Sequence, residues 1–72
     1  MHLIKRRVKK MSGAYREDYF TGDDSIALGF LEPLNQDCYR FFKKFSTRNE
    51  ALFVIATLDK GPEYLVEEYH AS

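Results

Sequence analysis

Nucleophilic, acid–base and metal chemistry draws on Cys, His and clustered carboxylates, and this chain offers few of them in useful places. Cys38 is the only cysteine, so no internal disulfide can form. Together with His2 and His70, which lie near the two ends, it falls short of the four ligands of a structural zinc site. Cys38 also stands on an apolar spacing, which predicts a buried thiol serving as a small hydrophobe rather than a nucleophile. The "GDD" at 22 to 24 gathers two carboxylates after a glycine, a pattern that turns produce for backbone reasons as readily as cation sites do. The chain has no phosphate-binding glycine loop, no dinucleotide fingerprint, and no nucleophile that can be given a base and an orienting group. The expectation is a protein that is not an enzyme, with no cofactor and no metal.

Charge is the stronger signal. The formal net charge is zero, yet "IKRRVKK" at 4 to 10 holds Lys5, Arg6, Arg7, Lys9 and Lys10 with no acid among them. Such a run could grip phosphates, with Arg40, Lys43 and Lys44 extending the patch and nearby tyrosines stacking on bases. It could equally lie as a strand beside the acids of "YRED" or "LVEEY", where cross-strand pairs each contribute roughly 0.2 to 1 kcal/mol. The neutral balance favours the second arrangement, since dedicated nucleic-acid domains keep a positive excess. The blocks alternate along the chain: residues 1 to 11 are basic, 12 to 37 acidic, 38 to 50 basic and the remainder acidic. Blocks of opposite sign either neutralise one another in the fold or make a dipolar surface.

Aromatic residues are in surplus. Five Tyr and six Phe exceed what a domain of 72 residues can bury completely, and Tyr is comfortable half exposed with its hydroxyl in water. Tyr64, Glu67, Glu68 and Tyr69 form an acidic, tyrosine-bearing segment suited to docking on a protein. The favoured function is therefore a small non-enzymatic binding or regulatory protein that docks onto a protein partner through these four residues, through the basic N-terminal edge, or through both. The alternative is a nucleic-acid-binding protein that uses Lys5, Arg6, Arg7, Lys9 and Lys10. The single cysteine fits a reducing, cytoplasmic setting. The N-terminal stretch lacks the apolar run of a secretory signal, and no segment approaches the roughly 20 apolar residues of a membrane span.

The elements that would position these residues belong to one domain, 1 to 72, whose core is small enough that a second copy forming a homodimer would add to its stability. In "PLNQDCYRFFKKFS", Cys38, Phe41, Phe42 and Phe45 fall at i, i+3, i+4 and i+7, with Asn35 as cap, predicting a helix over 36 to 46. "YREDYF" and "SIALGFLEP" flank the turn-forming "TGDD" and read as a hairpin with Ile26, Leu28 and Phe30 on one face. The segment "EALFVIATLDKGPEYLVEEYH" reads as two strands turning at "DKG". A helix is its competitor, because Thr47 and Glu50 have capping-box spacing and Gly61 could end a helix running from 48 to 60.

The first segment has helical spacing at Ile4, Val8, Met11 and Tyr15, but "SG" at 12 and 13 can join two strands directly. That turn would set Val8 opposite Glu17 and Arg7 opposite Asp18. The predicted fold is α+β: an antiparallel sheet of four or five strands with one helix on a face, in the order β-β-β-α-β-β. Its core would comprise Cys38, Phe41, Phe42, Phe45, Ile26, Leu28, Phe30, Phe53 and Ile55. The rival is an all-α bundle of four or five short helices.

Overall fold

The computed structural model describes residues 1 to 70. It begins with β1 (His2–Lys9), which pairs antiparallel with β2 (Tyr15–Phe20) on one side and with β4 (Glu63–Glu68) on the other. The short β3 (Phe30–Leu31) completes a four-stranded sheet of order β3-β2-β1-β4, and α1 (Arg48–Ile55), the one α-helix among the described residues, lies between β3 and β4 in the chain. The architecture is the expected α+β antiparallel sheet with one helix, and not the bundle.

β1 is a strand because both of its faces are covered. Leu3 and Ile4 are adjacent and fully buried, and alternation along a strand sends them to opposite sides of the sheet. On one side Leu3 joins Tyr19 and Phe42, flanked by Leu31, Cys38, Tyr39 and Tyr69. On the other, Ile4 joins Phe45 and Ala51, flanked by Phe20, Val54, Ile55, Tyr64 and Val66. The core is thus two clusters separated by the first half of β1. The second half, from Lys5 onward, is left to charged side chains.

This division explains why the predicted 36 to 46 helix is not continuous. Phe42 belongs to the first cluster and Phe45 to the second, and no single helix stripe can serve both faces of a sheet. The chain forms a 3-10 helix over Gln36–Phe41, capped by the Asn35 side chain, which accepts from Asp37 N at 2.9 Å, and then turns extended at Phe42. Residues 43 to 45 run past the end of the sheet, where Phe45 and His2 exchange both backbone hydrogen bonds at 2.8 and 2.9 Å.

The α-helix falls instead where the first strand of a C-terminal hairpin was expected. Thr47 Oγ1 accepts from Glu50 N at 3.2 Å, starting α1, and Ala51, Val54 and Ile55 at i, i+3 and i+4 line its buried stripe. Phe53 is left 75% exposed, which a strand alternation of Phe53 with Ile55 would not give. One strand of the expected hairpin, β4, remains.

Two further expectations are corrected at the loops. The β1–β2 register places Arg7 opposite Glu17 and Arg6 opposite Asp18, one residue away from the two-residue turn. Lys10 N instead bonds Ala14 O at 2.7 Å across Met11, Ser12 and Gly13, and Gly13 takes φ 90°, the left-handed residue that a three-residue hairpin loop requires. The second hairpin is cut short. The buried hydroxyl of Thr21 bonds the Asp23 and Ile26 carbonyls at 3.1 and 3.3 Å, drawing 21 to 26 into a tight loop. Ala27 and Leu28 then sit at φ 50° and 58°, so residues 26 to 30 cannot share a strand face, and Leu28 is 87% exposed rather than in the core. Phe41 is likewise exposed, whereas Leu3, Ile4, Tyr19 and Ala51 are core residues that the expected set omitted.

Candidate functional site

The central place of β1 decides what its basic residues meet. Lys5, Arg7 and Lys9 share a face with Glu17, Tyr19, Leu65 and Glu67, and Arg6 shares the other with Asp18, Phe30 and Tyr64. Lys5 Nζ stands 3.3 Å from Glu67 and 3.9 Å from Glu17. Arg6 forks onto Asp18, Nε to Oδ1 at 2.9 Å and Nη2 to Oδ2 at 2.7 Å, and Arg16 approaches the same carboxylate at 3.6 Å. The Arg6 guanidinium also lies 3.9 Å from the centre of the Phe30 ring, a cation–π contact. Arg7 donates from Nη2 to Glu17 Oε2 at 2.9 Å. That hydrogen bond raises the Arg7 guanidinium above its ordinary value. The same bond, and then the charge of Lys5, holds the Glu17 carboxyl below the usual carboxylate range.

Three of the five basic residues of the segment are thus engaged with acids of β2 and β4. Lys9 and Lys10, exposed where β1 runs into the hairpin loop, make no ion pair among the described residues. The same holds for Arg40, Lys43, Lys44 and Arg48 on the far side of the chain, although Lys44 Nζ donates to the Tyr39 carbonyl and lies over the Tyr69 ring. An open groove of about 650 Å³ is lined there by Lys43, Lys44, Phe45, Asn49, Glu50 and Phe53.

The four residues of the acidic, tyrosine-bearing segment share a strand and its continuation but not a face. Tyr64 turns to the α1 side, where its hydroxyl donates to the Asp59 carbonyl at 2.7 Å and its ring faces Phe30. Burial raises its phenol above the ordinary value, the charge of Arg6 opposing. Glu67 and Tyr69 turn to the other side. Glu67 accepts from Tyr19 Oη at 2.7 Å, and Tyr69 stacks on Tyr39 with centroids 5.6 Å apart. Burial first, and the Glu67 bond second, push the Tyr19 phenol well above its ordinary value. Glu68 projects outward with His70 Nε2 at 3.0 Å. Both tyrosines are committed to internal packing, so the segment does not present an aromatic docking face.

What the segment does present is an edge, a feature that reading side chains alone missed. Among the described residues β4 has one strand neighbour. Tyr69 N donates to Met1 O at 2.8 Å, so in the alternation of an antiparallel ladder the odd residues of β4 turn their backbone groups toward β1. The N–H and C=O of Tyr64, Val66 and Glu68 then face outward. The opposite edge, β3, is two residues long and offers much less. The sequence signal for the β4 edge was the run "EYLVEE", strand-forming and free of Pro, Gly and Lys.

Cys38 is a half-buried free thiol beside Asn35, and Asp23 spends its carboxylate on Ser25, accepting from the backbone N and the hydroxyl at 2.9 and 2.7 Å. Among the described residues no three of His, Cys, Asp and Glu gather in a way that could hold a metal ion, and no helix is long and apolar enough to cross a membrane. No protein-family model, curated protein or solved structure matches this chain.

Proposed function

We propose that this is a non-enzymatic binding or regulatory protein that docks onto a protein partner through β4 and the acids around it. The observation that carries the reading is the outward row of backbone donors and acceptors at Tyr64, Val66 and Glu68, rimmed by the carboxylates of Glu63, Glu67 and Glu68. Such a row is unsatisfied bonding capacity in a six-residue strand, and proteins recognise it readily. A reducing, cytoplasmic setting accords with the free thiol of Cys38.

The nucleic-acid alternative has weaker support. Phosphates would have to displace Glu17, Asp18 and Glu67 from Lys5, Arg6 and Arg7, which leaves Lys9 and Lys10 as the ready cations of that segment. A photo-reactive benzoylphenylalanine placed at position 68 in the producing cell tests the reading against a control at Met11, which is fully exposed beside Lys9 and Lys10. A discrete protein adduct from position 68 that is missing from position 11 is the expected result. Adducts with nucleic acid, or equal labelling from both positions, would overturn it.

A further inference from the structure

We infer that the outer edge of β4 takes an added β-strand from its partner, an extended segment with Lys or Arg flanking an apolar centre, and that it rejects a second copy of this chain. The inference rests on the docking reading and adds its mode and the chemistry of the occupant. Backbone geometry supplies the mode. Tyr64, Val66 and Glu68 point three N–H and three C=O groups outward along one line, the template that strand addition uses.

Side chains supply the specificity. On its inner edge β4 already accepts a basic and apolar strand. Glu63 lies opposite Arg7, Leu65 opposite Lys5, Val66 opposite Ile4 and Glu67 opposite Leu3, with Lys5 reaching diagonally to Glu67. An incoming strand meets the same side chains from the other side, with Glu68 and Glu63 the more exposed of the acids. Opposite charges directly across a strand pair stabilise it and like charges destabilise it.

A second copy of β4 meets that requirement poorly in the registers centred on its middle residues. Outward groups lie on even residues, so antiparallel self-pairing must centre on one residue and its own copy. Centred on Leu65, the pair sets Glu63 against Glu67 twice. Centred on Glu67, it sets that acid against itself. Centred on Val66, it buries Glu67 against Leu65 and Glu63 against Tyr69. Centred on Leu65 or Glu67, carboxylate faces carboxylate; centred on Val66, the acids face apolar and aromatic side chains; and in none of the three does a base stand opposite an acid.

The test uses the unmodified protein, labelled with nitrogen-15, and a blocked peptide of sequence Gly-Lys-Lys-Val-Ile-Thr-Lys-Gly. Amide resonances of Tyr64, Val66 and Glu68 should shift on titration and exchange their protons more slowly, while those of α1 stay in place. N-methylating the peptide's two central amides leaves its charge unchanged but blocks one of either alternating set of backbone donors, and should weaken binding at least tenfold. Replacing its lysines with glutamate should abolish the shifts. No response at β4, or equal binding by the N-methylated peptide, would overturn strand addition. If position 68 still crosslinks to a protein in the cell, docking stands and its mode is wrong. If neither experiment responds, the docking reading falls with it.

Discussion

Arg6 and Arg7 are adjacent and each forks onto a carboxylate, yet they lie on opposite faces of the sheet and hold partners of very different burial. The Asp18 side chain is 5% exposed and that of Glu17 is 41% exposed. Removing Arg6 leaves a buried carboxylate with only the longer Arg16 contact, so Arg6→Ala should cost about 2 to 3 kcal/mol. Arg7→Ala returns Glu17 to water and should cost much less. Urea unfolding of the two variants reads the difference directly, and equal losses would show that burial does not separate them. Tyr19 supplies a second residue-level expectation. Its phenol is raised in the folded state, so its neutral form contributes stability that is fully present below the ordinary tyrosine value of about 10 and is lost as pH rises toward the folded value. The urea midpoint should therefore fall above about pH 10, and fall less steeply in Tyr19→Phe, which has no proton to lose.

At the scale of elements, the cap of α1 is the simplest contribution to isolate. Thr47→Ala removes the side-chain acceptor for Glu50 N and should destabilise by about 1 kcal/mol, while Phe53→Ser on the exposed side of the same helix should change stability by less than about 0.5 kcal/mol. A strand at 53 to 57 would reverse that order, and thermal melts decide it. That helix also shows how far local pattern carries. The Thr47 and Glu50 spacing was legible in the sequence, but Phe53, Val54, Ile55 and Thr57 favour strands, and only the need for Ala51, Val54 and Ile55 to cover Ile4 decides between them. The stripe of Cys38, Phe41, Phe42 and Phe45 misled for a related reason. Periodicity assumes that all apolar residues of a stretch serve one surface, and here Phe42 and Phe45 serve two. The strand identity of β1 and its pairing with the acids were readable from charge and turn chemistry. Its exact register was not, because a two-residue "SG" turn and a three-residue loop with Gly13 left-handed differ by one residue and the same sequence suits both.

For the molecule as a whole, the four-stranded sheet has two edges, and each is guarded differently. β3 is two residues long, whereas β4 is a six-residue strand with no Pro, Lys or bulge, defended by its carboxylates alone. A guard made of charge has a signature that a guard made of shape does not, because salt screens it over about 10 Å at 0.1 M. The chain should therefore run as a monomer at low salt and begin to associate as salt rises. Neutralising the two exposed acids in Glu63→Gln/Glu68→Gln should bring association on at low salt, strengthening it at least tenfold over the unmodified chain, or about 1.4 kcal/mol. Binding of the lysine-bearing peptide should move the other way, weakening as salt rises, since it depends on the same carboxylates as attraction rather than repulsion. Sedimentation velocity across a salt series measures the first trend and the peptide titration the second. A chain that is dimeric at low salt, or a Gln variant that stays monomeric, would show that the acids of β4 do not decide what pairs with this edge.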